Sequence, residues 1–318
     1  DNLCLAFHKA AKGKRDRTSV RHFQARLSEN LSHLRLSLAT GKLSFGGYRF
    51  FSVKDPKART ICAAPFDQRV AHHALINIVG PLLDAAQIDH SYACRKNKGQ
   101  HRALAQACRW AKGHEFYLKM DIRKYFDTIS HNRVMDLLSR RIKDKPVIRI
   151  FNNIVVSYEA SPGRGLPLGN LTSQYLANLY LQGFDHWIKE DMRQKQYLRY
   201  MDDMLVLGNK PDLLALRGQC RDFLHHRLGL ALKNGGQINR TQRGIGFLGA
   251  VVYPGRIRLS GPAKKRIRAR LRNYEQRYRK GVWGASEMQQ SVQALWAGLF
   301  RMQSYGWRSR LAAKCLDI

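Results

Sequence analysis

Two adjacent carboxylates, Asp202 and Asp203, interrupt a run of apolar and aromatic residues between Tyr197 and Leu207, and no other feature restricts the local fold as tightly. Tyr197, Leu198, Tyr200 and Met201 precede the pair; Met204, Leu205, Val206 and Leu207 follow it. Short apolar runs of this kind suit buried strands, whereas Asp favours turns, so the segment predicts a strand, an acidic turn and a second strand. Like charges a few ångströms apart raise one another's pKa, and something cationic has to hold both ionised. A solvated hairpin turn is the ordinary alternative for an isolated Asp pair. The Tyr200 and Met201 before this one and the four apolar residues after it argue for a site instead.

Asp121 supplies a third carboxylate at the end of a predicted strand over 116–120, and Asp127 follows it. Taken alone, Asp121 would be a turn or cap residue. The strand end and the acidic turn converge if their strands are neighbours in one antiparallel sheet. Hard oxygen ligands of this kind suit Mg²⁺, with Mn²⁺ as a substitute, because Mg²⁺ is usually bound by one or two carboxylates plus substrate phosphates. Two such ions ~4 Å apart serve an in-line phosphoryl displacement, the chemistry of nucleotidyl transfer.

Charge points the same way. Lys and Arg number 56 against 23 Asp and Glu, a formal net charge of +33, while 44% of the residues are hydrophobic. That excess is far beyond what solubility requires and implies a polyanionic partner. Binding at a membrane is disfavoured because no apolar run approaches the ~18 residues of a span, and residues 1–17 do not read as a signal peptide. The first residue is Asp1 rather than Met, so earlier residues are expected to be missing. The six cysteines, Cys4, Cys62, Cys94, Cys108, Cys220 and Cys315, form no Cys-x-x-Cys pair. Neither zinc nor a disulfide framework is expected, and a reducing cytoplasm is the default.

Along the chain, Leu27, Leu31, Leu34 and Leu38 recur at helical spacing within a basic segment that ends near Gly41. Alternation over 48–53 and 60–63 predicts a hairpin with a basic turn at 54–59. Helices are predicted over 68–83, 102–110, 131–141, 147–156, 171–195 and 212–228, and a Gly-flanked strand pair over 244–259. From 254 to 318 there are fifteen Lys or Arg against three Asp or Glu. Ala263, Ile267, Leu271, Tyr274 and Tyr278 recur there at helical spacing, giving a helix with one core face and one cationic face suited to a phosphate backbone. The adjacent pairs His72, His73 and His225, His226 form no ligand pattern and read as structural or phosphate-contacting.

As an ordered set, several motifs resemble those of reverse transcriptases. They are Asp121 to Phe126, the Gly165 to Gln174 segment, the Tyr-Met-Asp-Asp tetrapeptide at Tyr200 to Asp203, and the Gly244 to Gly249 turn. With the basic hairpin near Arg59 and the Tyr92 to Arg95 segment, they cover most of the chain from 54 to 255. The resemblance implies a right-hand α+β polymerase. Fingers and the start of the palm would lie in 1–115, the palm in 116–253 and a basic helical thumb in 254–318.

By the same resemblance, Asp121, Asp202 and Asp203 are the catalytic residues, and they bind metal together with the Ile122 carbonyl. Lys54, Arg59, Arg69, Phe126, Leu168 and Gly169 meet the nucleotide. Phe126 stands where the family has an aromatic gate against a ribose 2′-hydroxyl. Ser173, Gln174, Tyr200, Met201, Gly246, Phe247, Leu248 and Gly249 meet template or primer, the last four as a primer grip. Lys233 is a further candidate, a cation for the departing pyrophosphate.

Within the family the chain looks most like the reverse transcriptases of bacterial and phage diversity-generating retroelements. Leu168 stands where most members have Gln, and Gln174 where most have Pro. An aliphatic group there cannot hydrogen-bond the nucleotide or template, which implies lax pairing and misincorporation opposite template adenines. The implied partners are template RNA, the RNA/cDNA hybrid, dNTPs and an oligomeric accessory variability protein. The alternatives are a retron-like or group II intron-like enzyme, the latter disfavoured by the short segment after the primer grip, an RNA-dependent RNA polymerase, disfavoured by Phe126, and a non-catalytic RNA-binding scaffold.

Overall fold

The computed structural model describes residues 1–54, 58–299 and 302–315. The tip of the basic turn, 55–57, and the side chain of Lys54 therefore lie outside the described residues. The chain opens with three helices, α1 (Asn2–Ala11), α2 (Thr18–Ala25) and α3 (Leu27–Ala39). A two-stranded antiparallel hairpin follows, β1 (Arg49–Lys54) and β2 (Ala58–Ala63). Next come α4 (Phe66–Ala85) and α5 (Gln100–Ala111). Ala6, Phe7, Val20 and Leu34 of the opening helices are buried against Phe66, Val70, Ala71 and Ala74 of α4, a small core of their own.

The middle of the chain runs through β3 (Phe116–Asp121), the one-turn α6 (Tyr125–Thr128), α7 (His131–Arg141), α8 (Lys145–Val156) and α9 (Leu171–His186). It continues with β4 (Tyr197–Tyr200), β5 (Asp203–Gly208), α10 (Lys210–Asp222) and β6 (Gln237–Arg240). A second small sheet, β7 (Ile245–Phe247), β8 (Ala250–Tyr253) and β9 (Arg256–Leu259), leads into α11 (Gly261–Arg279), α12 (Ala285–Ala297) and α13 (Tyr305–Cys315). Helix starts follow local chemistry. Ser130, Asp144 and Ser260 each accept a hydrogen bond from an amide three residues on, satisfying donors that the first turns of α7, α8 and α11 leave free. Among the described residues no helix is long and apolar enough to cross a membrane.

The central sheet has the order β4-β5-β3-β6, and every neighbouring pair is antiparallel. Because successive strand side chains point to opposite faces, it separates two cores. On one face Leu118, Met120, Met204, Val206 and Tyr197 meet Leu176, Tyr180 and Phe184 of α9 and Leu213 and Leu216 of α10. On the other, Tyr117, Leu198, Leu205 and Leu207 meet Ala103, Leu104 and Ala107 of α5 and Ile245, Phe247, Ala250 and Val252 of the second sheet. Asp121 and Asp203 belong to this second face by register, at its end.

Several elements differ from the sequence reading, among them the strand pair expected over 244–259, which is a sheet of three strands, β7, β8 and β9. The fourth strand, β6, was not expected, because Gln237–Arg240 holds one aliphatic residue and lies at a sheet edge, where burial imposes no alternation. The helix predicted over 171–195 ends its regular part at His186 and continues as a wide π turn, Trp187–Asp191. The helix over 212–228 does the same through Phe223–Arg227. The Trp187 and Phe223 rings, one from each wide turn, lie 4.6 Å apart.

The sheet is fastened to α9 by a buried ion pair. Arg199 of β4 and Asp185 of α9 both have no solvent exposure, and their guanidinium and carboxylate approach to 2.5 Å (Nη2 to Oδ2) and 2.8 Å (Nε to Oδ1). Tyr197 Oη donates to the same carboxylate at 2.6 Å, and Arg199 also donates to Asn178 Oδ1, Gln87 Oε1 and the Met201 carbonyl. Burial alone would lower the Arg199 pKa, but the charge and hydrogen bonds of Asp185 outweigh it and hold the guanidinium protonated. Removing one member of such a pair leaves an uncompensated buried charge, at a cost of about 3–5 kcal/mol. Asp185→Asn should lose about that much stability in urea unfolding; an unchanged midpoint would remove the pair from this role.

A second buried polar contact joins α4 to α9, where His72 Nδ1 lies 3.1 Å from Thr172 Oγ1. Burial, with the neighbouring His73 charge, pushes the His72 pKa down to about 3, so the folded protein keeps this ring neutral. An unfolded chain takes up a proton there below its ordinary pKa of ~6.5. Stability contributed by the neutral ring is thus full above ~6.5 and falls as the pH drops toward 3, by at most about 1.4 kcal/mol per pH unit. His72→Gln should flatten the stability profile between pH 6 and 4, measured by denaturant unfolding at stepped pH; an equally steep profile would exclude His72 as a source.

Candidate active site

The hairpin between β4 and β5 turns through two residues, Met201 and Asp202, because Tyr200 pairs directly with Asp203. Met201 has φ +57°, the left-handed region that the first residue of a tight hairpin turn requires. That conformation costs a non-glycine residue roughly 1–2 kcal/mol. The Met201 carbonyl is held by Arg199 at 3.1 Å, so the buried ion pair also secures the turn. Strain retained by surrounding structure in this way is a feature of functional sites.

Asp121 stands opposite Asp203 in the β3–β5 ladder, so the strand-end carboxylate and the acidic turn meet. All three carboxylates are half-buried. Burial pushes the Asp202 carboxyl up to about 6; Asp203 and Asp121 push in the same direction, and Arg59 pulls against them. Two lysines reach the cluster at long range, Lys233 Nζ 3.8 Å from Asp121 Oδ2 and Lys119 Nζ 3.5 Å from Asp203 Oδ1.

This donor set fits a divalent cation. The oxygens are hard, three carboxylates are gathered at one sheet end, and the carboxyl at the turn is harder to ionise than an ordinary Asp, an opposition that added positive charge would relieve. Among the described residues no group of three His, Cys, Asp or Glu side chains is arranged to hold a metal ion on its own. Mg²⁺ does not need such a group, since it is usually bound by one or two carboxylates together with waters and substrate phosphates.

The Gly165 to Gln174 segment lies beside the cluster. Leu166 N–H donates to the Phe126 carbonyl at 2.8 Å, which ties the segment to the residue expected to gate the sugar. Leu168 is half-buried, and its carbonyl accepts from the Cys62 N–H of β2 at 2.8 Å. At Gly169, with φ +118°, a Cβ would lie 2.8 Å from Ile61 Cγ2, so only glycine allows β2 this close. The β1–β2 hairpin and the Gly165 to Gln174 segment are therefore in contact, and Arg59, two residues before Ile61, lies near Asp202.

Other expected residues are placed differently. Arg69 stacks on Phe66 with its charge beside Arg17 and Lys14, in the N-terminal helical layer. Ser173 and Phe247 are each 1% exposed, so their side chains pack inside α9's surroundings and the second core instead of facing a nucleic acid. The Ile122 side chain is likewise buried. Gln174, Tyr200, Met201 and Leu248 are half-buried, while Gly246 and Gly249 are exposed.

Three residues escaped the sequence reading: Arg199, its partner Asp185, and Lys119. Arg199 and Lys119 are single cations in otherwise apolar strands, and that mismatch with their neighbours was the available signal. Lys119 extends from β3 to donate to the Gly246 carbonyl at 2.7 Å as well as approaching Asp203.

Comparison with known proteins bears on the family and the fold. Protein YkfC of Escherichia coli (strain K12) is 25% identical over 274 residues, 71% of this chain and 72% of that protein. The putative COX1/OXI3 intron 1 protein of Saccharomyces cerevisiae is 24% identical over 264 residues; the match takes in 64% of this chain but only 32% of the yeast protein, about a third of its length. Among solved structures, apo telomerase from Candida tropicalis superposes with a TM-score of 0.52 over 79% of this chain and 57% of its own, at 11% identity, a likeness of fold alone. The architecture is the right-hand polymerase fold. Residues 53–240, more than half of the chain, match the family described as reverse transcriptase (RNA-dependent DNA polymerase), and the chain belongs to that family.

Proposed function

We propose that this chain extends a primer 3′-hydroxyl with dNTPs on an RNA template. The reading is carried by the register that sets Asp121 opposite Asp203, with Asp202 at the adjoining turn. In this role Asp121 and Asp202 would hold divalent Mg²⁺ or Mn²⁺, with Asp203 beside them and the Ile122 carbonyl contributing, and the chemistry such ions would supply is charge neutralisation at the attacking and departing oxygens. The 3′-oxygen gives up its proton and bonds to the α-phosphorus as the bond to pyrophosphate breaks.

The chain's own groups do the rest. Arg59, near Asp202, is positioned to neutralise triphosphate, with Lys54 on the same hairpin. Lys233, 3.8 Å from Asp121, lends positive charge to the leaving pyrophosphate. The Phe126 ring, its backbone fixed by Leu166, excludes a ribose 2′-hydroxyl. Gln174, Tyr200 and Met201 line the template and primer side, and Gly246, Leu248 and Gly249 offer backbone to the primer strand.

In primer extension on an RNA template, Asp202→Asn should lower kcat at least on the order of 10²-fold with hybrid affinity unchanged. Phe126→Val should admit NTPs that the parent rejects. Full synthesis by the Asp202→Asn protein would remove the catalytic assignment.

The finer identity we infer is the mutagenic reverse transcriptase of a diversity-generating retroelement, working with an oligomeric accessory variability protein. Leu168 and Gln174 support it, since the Leu168 side chain offers nothing to hydrogen-bond a base. Sequenced cDNA should carry errors concentrated opposite template adenines, and Leu168→Gln should reduce them. Errors spread evenly over all four bases would instead favour an intron-type enzyme, the class to which the yeast intron-encoded relative points.

A further inference from the structure

We propose that Lys119 is a positioning residue that locks the β7–β8 hairpin to the carboxylate cluster and so fixes where the primer's 3′ terminus comes to rest. The proposal rests on the polymerase reading above and adds to it a residue outside the motif set.

The hairpin and the cluster belong to different sheets, β7-β8-β9 and β4-β5-β3-β6. What joins their apolar ends is side-chain packing, Phe247 and Ile245 against Leu205 and Tyr117. Such packing is not directional and does not set the hairpin's height above the carboxylates to a fraction of an ångström. Lys119 does. It lies on the same strand face as Asp121, two residues earlier, and its ammonium donates to the Gly246 carbonyl at 2.7 Å while standing 3.5 Å from Asp203 Oδ1. An ammonium has three donors and no acceptor, so one group can serve a backbone carbonyl and a carboxylate together. Both charged side chains are only about a quarter exposed, 26% for Lys119 and 29% for Asp203, which strengthens the contact relative to an open surface pair.

Among the described residues other side chains also hold the hairpin: Gln100 Nε2 of α5 donates to the Leu248 carbonyl at 2.7 Å, and Ser260 Oγ, at the start of α11, donates to the Gly249 carbonyl at 2.8 Å. These anchors differ in kind from Lys119. Gln100 holds the turn to a helix away from the chemistry, whereas Lys119 holds the strand to a group that would bind metal. Displacement of the hairpin by about 1 Å would move a primer terminus out of line, which costs on the order of 10²-fold in rate.

The test uses the full chain and a DNA primer on an RNA template, with 2-aminopurine at the primer's 3′ end. Affinity comes from anisotropy, and terminal fluorescence is read in EDTA, so that it needs no catalysis. For Lys119→Met the expected result is hybrid affinity within twofold of the parent and terminal emission at least doubled, as the base leaves its seat. With Mg²⁺ added, kcat should fall on the order of 10²-fold with the dNTP KM within twofold, and Lys119→Arg should restore most of kcat. Gln100→Ala should change kcat by less than tenfold.

Parental emission and kcat in Lys119→Met would overturn the proposal. So would a loss of hybrid affinity matching the loss of kcat, which would make Lys119 an ordinary backbone contact. If Lys119→Met does not fold, Lys119→Gln, which keeps an N–H donor but no charge, is judged by the same criteria. A parent protein that binds the hybrid but never extends it would overturn the polymerase reading instead, and the EDTA fluorescence would still decide on Lys119.

Discussion

The buried pair of Arg199 and Asp185 is the constraint on which the site depends. One guanidinium reaches a helix carboxylate, two side-chain amides and the carbonyl of Met201, and so joins α9, the loop that follows α4 and the tight turn into one unit. A turn with a left-handed Met and two adjacent carboxylates would relax without such a hold. The same low-polarity surroundings that make the pair costly to break make its geometry specific, since every donor must be satisfied where it lies.

Much of this was legible in the chain itself. The apolar strands on either side of Asp202 and Asp203 announced the hairpin, and the order of the motifs announced the family. Asp121's partner strand followed from the requirement that the carboxylates meet. The residues that stayed hidden share a physical cause. Arg199, Lys119 and Asp185 act through partners 2 to 127 positions away, and a contact of that kind leaves no local periodicity to read. The strand β6 was missed because it is a short edge strand with no buried side chain, so nothing imposes an apolar alternation on Gln237–Arg240. The wide turns at Trp187 and Phe223 were missed because they keep helical spacing on both sides and shift it by one residue between.

Burial also decided which expected contacts survive. Phe247 and Ser173 fall within motifs that suggest nucleic acid, yet each is enclosed, and each contributes by holding the exposed backbone or helix next to it. A motif thus mixes residues that touch a ligand with residues that support those that do. Only the packing distinguishes them, and Gly246 beside Phe247 is the clearest case, one outside and one inside on consecutive positions of a three-residue strand.

The contact of Ile61 and Cys62 with Leu168 and Gly169 has a consequence for how such an enzyme can change over generations. On the proposed reading, in which the 168–169 segment meets the incoming nucleotide, copying accuracy and placement of the β1–β2 hairpin would be mechanically one trait. A lineage changing one would then have to alter both sides of that seam together, and bulk added at position 169 would push against Ile61 of the hairpin first.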